Sequence, residues 1–325
     1  MARHRRVRGP VARRRTGSGL QRIHYGPGRA RASRRRRDAN PGRSARRAPS
    51  PADPVTSRRE RRHHQGVEYL LSNRQVEAGE RFAAISELFD RWTFRHMDDI
   101  GVGDGWRCWE VGAGGPSVPA WLAERVGERG HVLATDIDTS WLRDAPVDVR
   151  QHDIVRDEPP EGPFDLVHAR LVLVHLADRD AALRTMVESL RPGGFLLVED
   201  ADPALQPLAC PDERGPDERL ANSVRRGFRT LLAERGADLA YGRRLPRLLR
   251  DAGLADVRAD AFSPIAAPAC GVLEAATILQ VRDRLIAGGH ATTGELDHLL
   301  AAIAEGRLDL TLAPLISAWG RLPGE

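Results

Sequence analysis

The chain has 325 residues, 41% of them hydrophobic, which is enough for one large domain or two smaller ones. Its formal charge of +5 is unevenly spread: residues 1–62 hold 21 Arg against Asp38, Asp53 and Glu60, a net of +18, so residues 63–325 carry −13. Cys108, Cys210 and Cys270 are too few and too far apart for a disulfide framework. No apolar run approaches the roughly 20 residues of a membrane span, so a soluble cytoplasmic protein is expected.

Residues 1–62 are rich in Arg, Pro, Gly and Ser and carry no apolar periodicity. Such a segment buries too little surface to offset its ordering entropy, so a disordered tail is expected. Three readings of it compete: a phosphate-neutralising arm, a transit peptide, and sequence upstream of the true start. The last is preferred because recognisable pattern begins near Gly66-Val67-Glu68-Tyr69. From there, Ala, Leu, Glu and Arg at helical periods predict a helix over 68–100, with Ile85, Leu88, Phe89 and Trp92 as its apolar stripe.

After the linker at 101–105 the pattern changes to short apolar runs separated by helical segments. Strands are predicted at 107–111, 131–135, 147–151, 164–168 and 195–199, with helices at 118–126, 139–144 and 178–190. Pro192-Gly193-Gly194 reads as the stop after the last of these helices. Alternating strands and helices imply parallel pairing through crossover connections, the doubly wound α/β architecture. Beyond Asp200 come helices over 216–235 and 242–252, a strand over 257–262, helices over 271–287 and 293–305, and a final strand over 308–319.

The stretch that organises the rest is Cys108-Trp109-Glu110-Val111-Gly112-Ala113-Gly114-Gly115-Pro116-Ser117. An apolar strand, a glycine turn and a helix start bring bare backbone close to a nucleoside cofactor. The dinucleotide fingerprint is incomplete, because Ser117 stands where its third glycine would be. Glu110 is a carboxylate inside an apolar strand, which is costly unless it has a partner. Asp136 ends the second strand, where an acid is placed to accept from ribose hydroxyls; Asp138, two residues on, is its competitor. A third acid, Asp153, follows the next strand.

With these motifs in this order, residues 66–200 resemble the class I S-adenosylmethionine (SAM)-dependent methyltransferases, in particular the small-molecule type of actinobacteria. The resemblance implies a Rossmann-like methyltransferase fold: a doubly wound, mostly parallel seven-stranded sheet whose seventh strand is antiparallel. A helical cap over 63–105, a SAM-binding core over 106–200, and a lid with the final strands over 201–325 would make up one domain from 63 to 325. The helical pair inserted between the last two strands would extend the lid, and Tyr69 and Arg81 would be lid residues. The cofactor implied is SAM. Gly112, Ala113 and Gly114 would meet its methionine portion, Glu110 its amino group, Asp136 the ribose, Ile137 the adenine face, and Asp153 with Ile154 the adenine edge; Ala169 and Arg170 complete the expected set. Pro116 replaces a further glycine usual in the family. The Asn-Pro-Pro-aromatic signature of enzymes that methylate DNA bases or glutamine is missing after 164–168.

Methyl transfer from a sulfonium is a displacement that alignment alone can accelerate. His168, Arg170, His175, Glu199 and Asp200 lie near C-terminal strand ends, where ligands bind in open α/β sheets, but the sequence singles out no catalytic residue. His175 reads equally as a satisfied residue in an apolar segment. No His/Cys/Asp/Glu cluster has metal spacing, so no metal is expected. The expected function is methylation of a small-molecule metabolite, with no membrane and no nucleic-acid partner. The same-fold rival is an NAD(P)-dependent oxidoreductase, disfavoured by Ser117 and by a chain without lysine to make a Tyr-x-x-x-Lys pair. The non-enzymatic rival is a nucleic-acid-associated protein acting through its Arg tail.

Overall fold

A computed structural model describes residues 70, 71, 73 and 77–324. The expectations for residues 1–62 and for Tyr69 lie outside them. All the described residues belong to one unit, His64–Glu325.

The unit starts with α1 (Glu77–Ile100) and continues through β1 (Arg107–Val111), α2 (Ser117–Val126), β2 (His131–Asp136), β3 (Asp148–Gln151) and β4 (Phe164–Arg170). A short 3-10 helix, Leu173–His175, precedes α3 (Arg179–Glu188) and β5 (Leu190–Ala201). Then follow α4 (Pro216–Glu234), α5 (Leu245–Asp251), β6 (Ala255–Phe262), α6 (Pro268–Ala287), α7 (Thr293–Ala304) and β7 (Leu315–Arg321). The seven strands form one sheet in the order β3-β2-β1-β4-β5-β7-β6. The first five pair in parallel, and β7 runs antiparallel to both β5 and β6.

Central strands buried on both faces need apolar side chains on both, and β1 and β4 supply them. On one face Trp109, Val111, Val167 and Ala169 pack with Leu183 and Met186 of α3 and Leu245 and Leu249 of α5. On the other, Cys108 and Leu166 meet Met97 of α1 and Val118, Leu122 and Val126 of α2. Helices α1, α4, α6 and α7 share a third core around Leu88, Phe89, Leu231, Leu285 and Leu299. The strand order reverses between β1 and β4, and the crevice beyond the C-terminal ends of such strands is where open α/β sheets bind ligands.

Several sequence expectations are corrected. Leu70 and Leu71 lie in a bend and Asn73 in a turn, so these three are not helical, and the first helix begins at Glu77. Residues 139–144 form successive turns instead of a helix. Pro192-Gly193-Gly194 lies inside β5, because α3 has already ended at Glu188. Gly193, at φ 80°, and a register shift between Phe164 and Leu166 on β4 absorb the irregularity, as a bulge does. The final strand is shorter than expected: residues 308–314 are largely irregular, with Thr311 bridged to Ile265, and β7 starts at Leu315.

Candidate functional site

Where β1 ends, the backbone turns through Gly112 and Gly114, each at φ 62°. A side chain there costs about 1–2 kcal/mol, and neither position has room for one. A Cβ on Gly112 would stand 2.5 Å from Cγ2 of Val172, and one on Gly114 would stand 2.6 Å from Cε1 of Phe82. Between them the Ala113 N–H donates to the Thr135 carbonyl at 3.0 Å, stitching the loop to β2.

Asp136 closes β2 and is only 6% exposed. Its Oδ2 accepts from the Gly114 N–H at 2.9 Å and its Oδ1 from the Asp138 N–H at 2.9 Å. Burial raises its pKa, against the opposing pull of those two backbone donors. Asp136 is therefore a buried clasp on the glycine loop, not the open strand-tip acid that position in a strand suggests. The Asp138 carboxylate instead accepts from the Ser140 N–H. Because residues 139–144 form turns, Asp136 has no helix there to cap.

The cap closes over this loop. Phe82 sits against Gly114, and Ser86 Oγ lies 2.8 Å from Ser117 Oγ. The Arg81 guanidinium is 4.7 Å above the Phe82 ring and donates to Asn73 Oδ1 at 3.1 Å, while the Asn73 amide reaches Asp136 Oδ1 at 3.5 Å. Trp141 donates from Nε1 to the Asn73 carbonyl at 2.7 Å and rests on Gly79. The pairing of Asn73 with Trp141 has no local sequence signal, because it is a contact across 68 residues.

The remaining expected site residues divide. Ile137 is 52% exposed directly beyond Asp136, an apolar surface suited to a flat ring. The His152 N–H donates to the Asp136 carbonyl at 2.9 Å, which brings the Asp153 turn beside it. Asp153 Oδ1 accepts from the Val155 N–H at 3.0 Å, and Ile154 points into the core. Ala169 is buried and in register with Val111. Arg170 turns toward α1, donating to Asp90 at 2.9 Å and Thr93 at 3.0 Å. His175 is held near pKa 4 by burial and then by Arg81 and Arg179, so it is neutral.

Glu110 has the partner its cost demands. Its Oε2 lies 2.5 Å from His168 Nδ1, and His168 Nε2 lies 3.4 Å from Glu199 Oε2. Glu199 also accepts from Thr93 at 2.5 Å and Ser317 at 2.6 Å, and meets His96 Nδ1 at 3.1 Å; His96 Nε2 reaches Asp260 Oδ1 at 3.0 Å. Burial alone would lower the His168 pKa, but the Glu110 charge and hydrogen bond, followed by Glu199, raise it to about 9. Burial would raise the Glu199 carboxyl, yet hydrogen bonds from His168 and His96 hold it well below the usual carboxylate range. In the sequence His168 and Glu199 stand out only as polar residues near strand ends, and Thr93 and His96 carry no local signal.

Residues 109–196 match the family model of a methyltransferase domain. A relative from Vibrio cholerae, the ubiquinone/menaquinone biosynthesis C-methyltransferase UbiE, is 32% identical over 159 residues, which cover 45% of this chain and 58% of that protein. The methyltransferase str2 of Strobilurus tenacellus is 31% identical over 139 residues, 41% of this chain and 49% of its own. Among solved structures, phosphoethanolamine N-methyltransferase 2 of Haemonchus contortus is similar at 16% identity and a TM-score of 0.47, covering 80% of this chain and 60% of that one. The chain thus spans about half the length of the curated relatives it matches, 58% of one and 49% of the other. The fold and the glycine loop define a doubly wound α/β domain with a bare-backbone turn where the strand order reverses. More particularly, residues 109–196 match a methyltransferase domain, a kind that uses SAM.

The residues present fit that cofactor. The glycine loop is a cradle that any Cβ would fill, and an acid and an exposed apolar side chain follow it at the end of β2. Among the described residues no group of three or more His, Cys, Asp or Glu is arranged to hold a metal, and no helix is long and apolar enough to cross a membrane.

Proposed function

We propose that this protein transfers a methyl group from SAM to a small-molecule acceptor. The observation that carries the reading is the pair of glycines at φ 62°, delivered by β1 at the reversal of strand order and clasped by the acid that ends β2. When bound there, SAM supplies an electrophilic methyl on a sulfonium. Gly112, Ala113 and Gly114 would line its methionine portion and Glu110 would meet its ammonium group. Asp136 would accept from the ribose hydroxyls with the lone pairs its backbone donors leave. Ile137 would cover the adenine, with Asp153 and the Ile154 N–H at its edge. The cap's part is to hold an acceptor in line with the methyl and keep water out, and alignment of that kind can supply several kcal/mol of the barrier.

The acceptor belongs to the cap. Helices α4, α6 and α7 lie outside residues 109–196, which match the family model, and one fold carries many acceptors through such grafted segments. The named relatives methylate at carbon and at nitrogen, as their names state. Three free buried cysteines suit a reducing compartment, and we place the protein in the cytoplasm. Incubating the full chain with methyl-labelled SAM and an extract of host metabolites tests the reading. Label should pass to a small molecule, and transfer should fail when Gly114 is replaced by Arg. Label that stays on SAM throughout, with no SAM binding, would contradict it.

A further inference from the structure

Glu110, His168 and Glu199 stand on three neighbouring strands, β1, β4 and β5, and all are essentially buried. Their anchoring is unequal. Glu199 is fixed from α1 by Thr93 and His96 and from β7 by Ser317. Glu110 has His168 alone: its Oε2 meets Nδ1, and its Oε1 takes no partner among the described residues. Glu110 also lies two residues before Gly112, where the glycine loop opens.

We infer that His168 is a positioning residue for the cofactor's α-ammonium group: braced by Glu199, it pins one oxygen of Glu110 and leaves the other to receive the ammonium. This rests on the SAM reading above. The electrostatics agree with the geometry. His168 carries its proton at neutral pH and so gives the Glu110 carboxyl a cationic partner inside an apolar sheet, where a carboxyl without a partner would be expensive. Other charged groups act through Glu199 or beside it: Arg170 of β4, His96 and Arg95 of α1, Asp90 of α1 paired to Arg170, and Asp260 of β6. Among the described residues Glu110 is hydrogen-bonded by His168 and by none of these, so His168 is the link between this cluster and the glycine loop.

A pair of ligands tests the inference. S-adenosylhomocysteine carries the amino-acid ammonium; 5′-methylthioadenosine has the same nucleoside and thioether without it. In the full chain, His168→Asn should weaken S-adenosylhomocysteine by at least about tenfold, as loss of a well-set hydrogen bond to a charged group does. Affinity for methylthioadenosine should stay within about twofold, below the tenfold that corresponds to one such bond. Glu110→Gln should repeat the pattern, and adding it to His168→Asn should cost little more. If both ligands weaken equally, or neither does, His168 only supports the fold and the inference is overturned. Should His168→Asn not fold, nitrogen resonances of the His168 ring in the wild-type protein decide: S-adenosylhomocysteine should shift them and methylthioadenosine should not, and equal shifts or none would overturn the inference. A wild-type protein that binds methylthioadenosine and not S-adenosylhomocysteine also overturns it, whereas binding of neither ligand sinks the SAM reading itself.

Discussion

Replacing Asp136 by Asn keeps the shape of the side chain and removes its charge and one acceptor oxygen. In the protein the carboxylate accepts two backbone N–H groups at 2.9 Å, one of them, on Gly114, fully buried. A hydrogen bond to a charged acceptor contributes about 1.5–3 kcal/mol, and a buried donor left unpaired costs about 1–3 kcal/mol. The amide carbonyl can satisfy one donor; the other must face an NH2 group. Against this, the neutral amide avoids the cost of desolvating a charge, which raises the carboxyl pKa. The ligand-free protein should therefore lose about 1–3 kcal/mol, read as a lower urea midpoint at unchanged slope. The ribose needs the lone pairs those donors leave, and the amide offers fewer of them, so S-adenosylhomocysteine affinity by calorimetry should fall at least about tenfold. Stability unchanged within about 0.3 kcal/mol, well below the cost of a lost bond, would refute the clasp. Unchanged affinity would remove Asp136 from the site and point to Asp138. A loss of stability alone would make Asp136 a structural latch and nothing more.

Gly114→Ala should cost at least about 1 kcal/mol from its φ of 62°, more because its Cβ would meet Phe82 at 2.6 Å, and Phe82→Ala should recover only the second part. A loss under about 0.5 kcal/mol in urea unfolding, half the smallest backbone cost, would count against the loop geometry. Arg225 and Glu274 form a two-point pair with side chains 8% and 7% exposed, joining α4 to α6. Arg225→Ala should destabilise by about 3–5 kcal/mol, and Arg225→Met with Glu274→Leu should recover most of that; near-neutrality of the single variant would show that water reaches the pair. His168 ionises near 9 in the folded chain against an ordinary 6.5, so its contribution is complete below pH 6.5 and lost as pH rises through 9. Unfolding free energy should accordingly fall less steeply over that window in His168→Asn than in the wild type, and identical slopes would place the His168 pKa elsewhere.

What the sequence made legible was whatever is encoded within a few residues. The apolar runs of β1, β2 and β4, the glycine turn and the acid after β2 are local patterns set by backbone conformation and burial, and all stand where periodicity puts them. The Pro-Gly-Gly segment misled because the residues that stop helices also permit a bulged strand, and the choice is made by pairing with β4 and β7. Residues 139–144 have helical composition, but the Asp136 clasp and the Trp141 contact with Asn73 hold them as turns. In the site, Glu110 was conspicuous as a charge in an apolar strand, whereas its partner lies 58 residues on and the next link, His168 to Glu199, spans another 31. No local signal carries such a network. It follows from the strand order, which is decided by the whole sheet.

We propose that one crevice, beyond β1 and β2, receives the nucleoside and amino-acid parts of SAM. Calorimetric titration of the full chain with S-adenosylhomocysteine and, separately, with NAD tests it most directly. Saturable binding of S-adenosylhomocysteine at one site per chain, weakened in Asp136→Asn and without measurable NAD binding, is the expected result. Binding of NAD with no response to S-adenosylhomocysteine would contradict it.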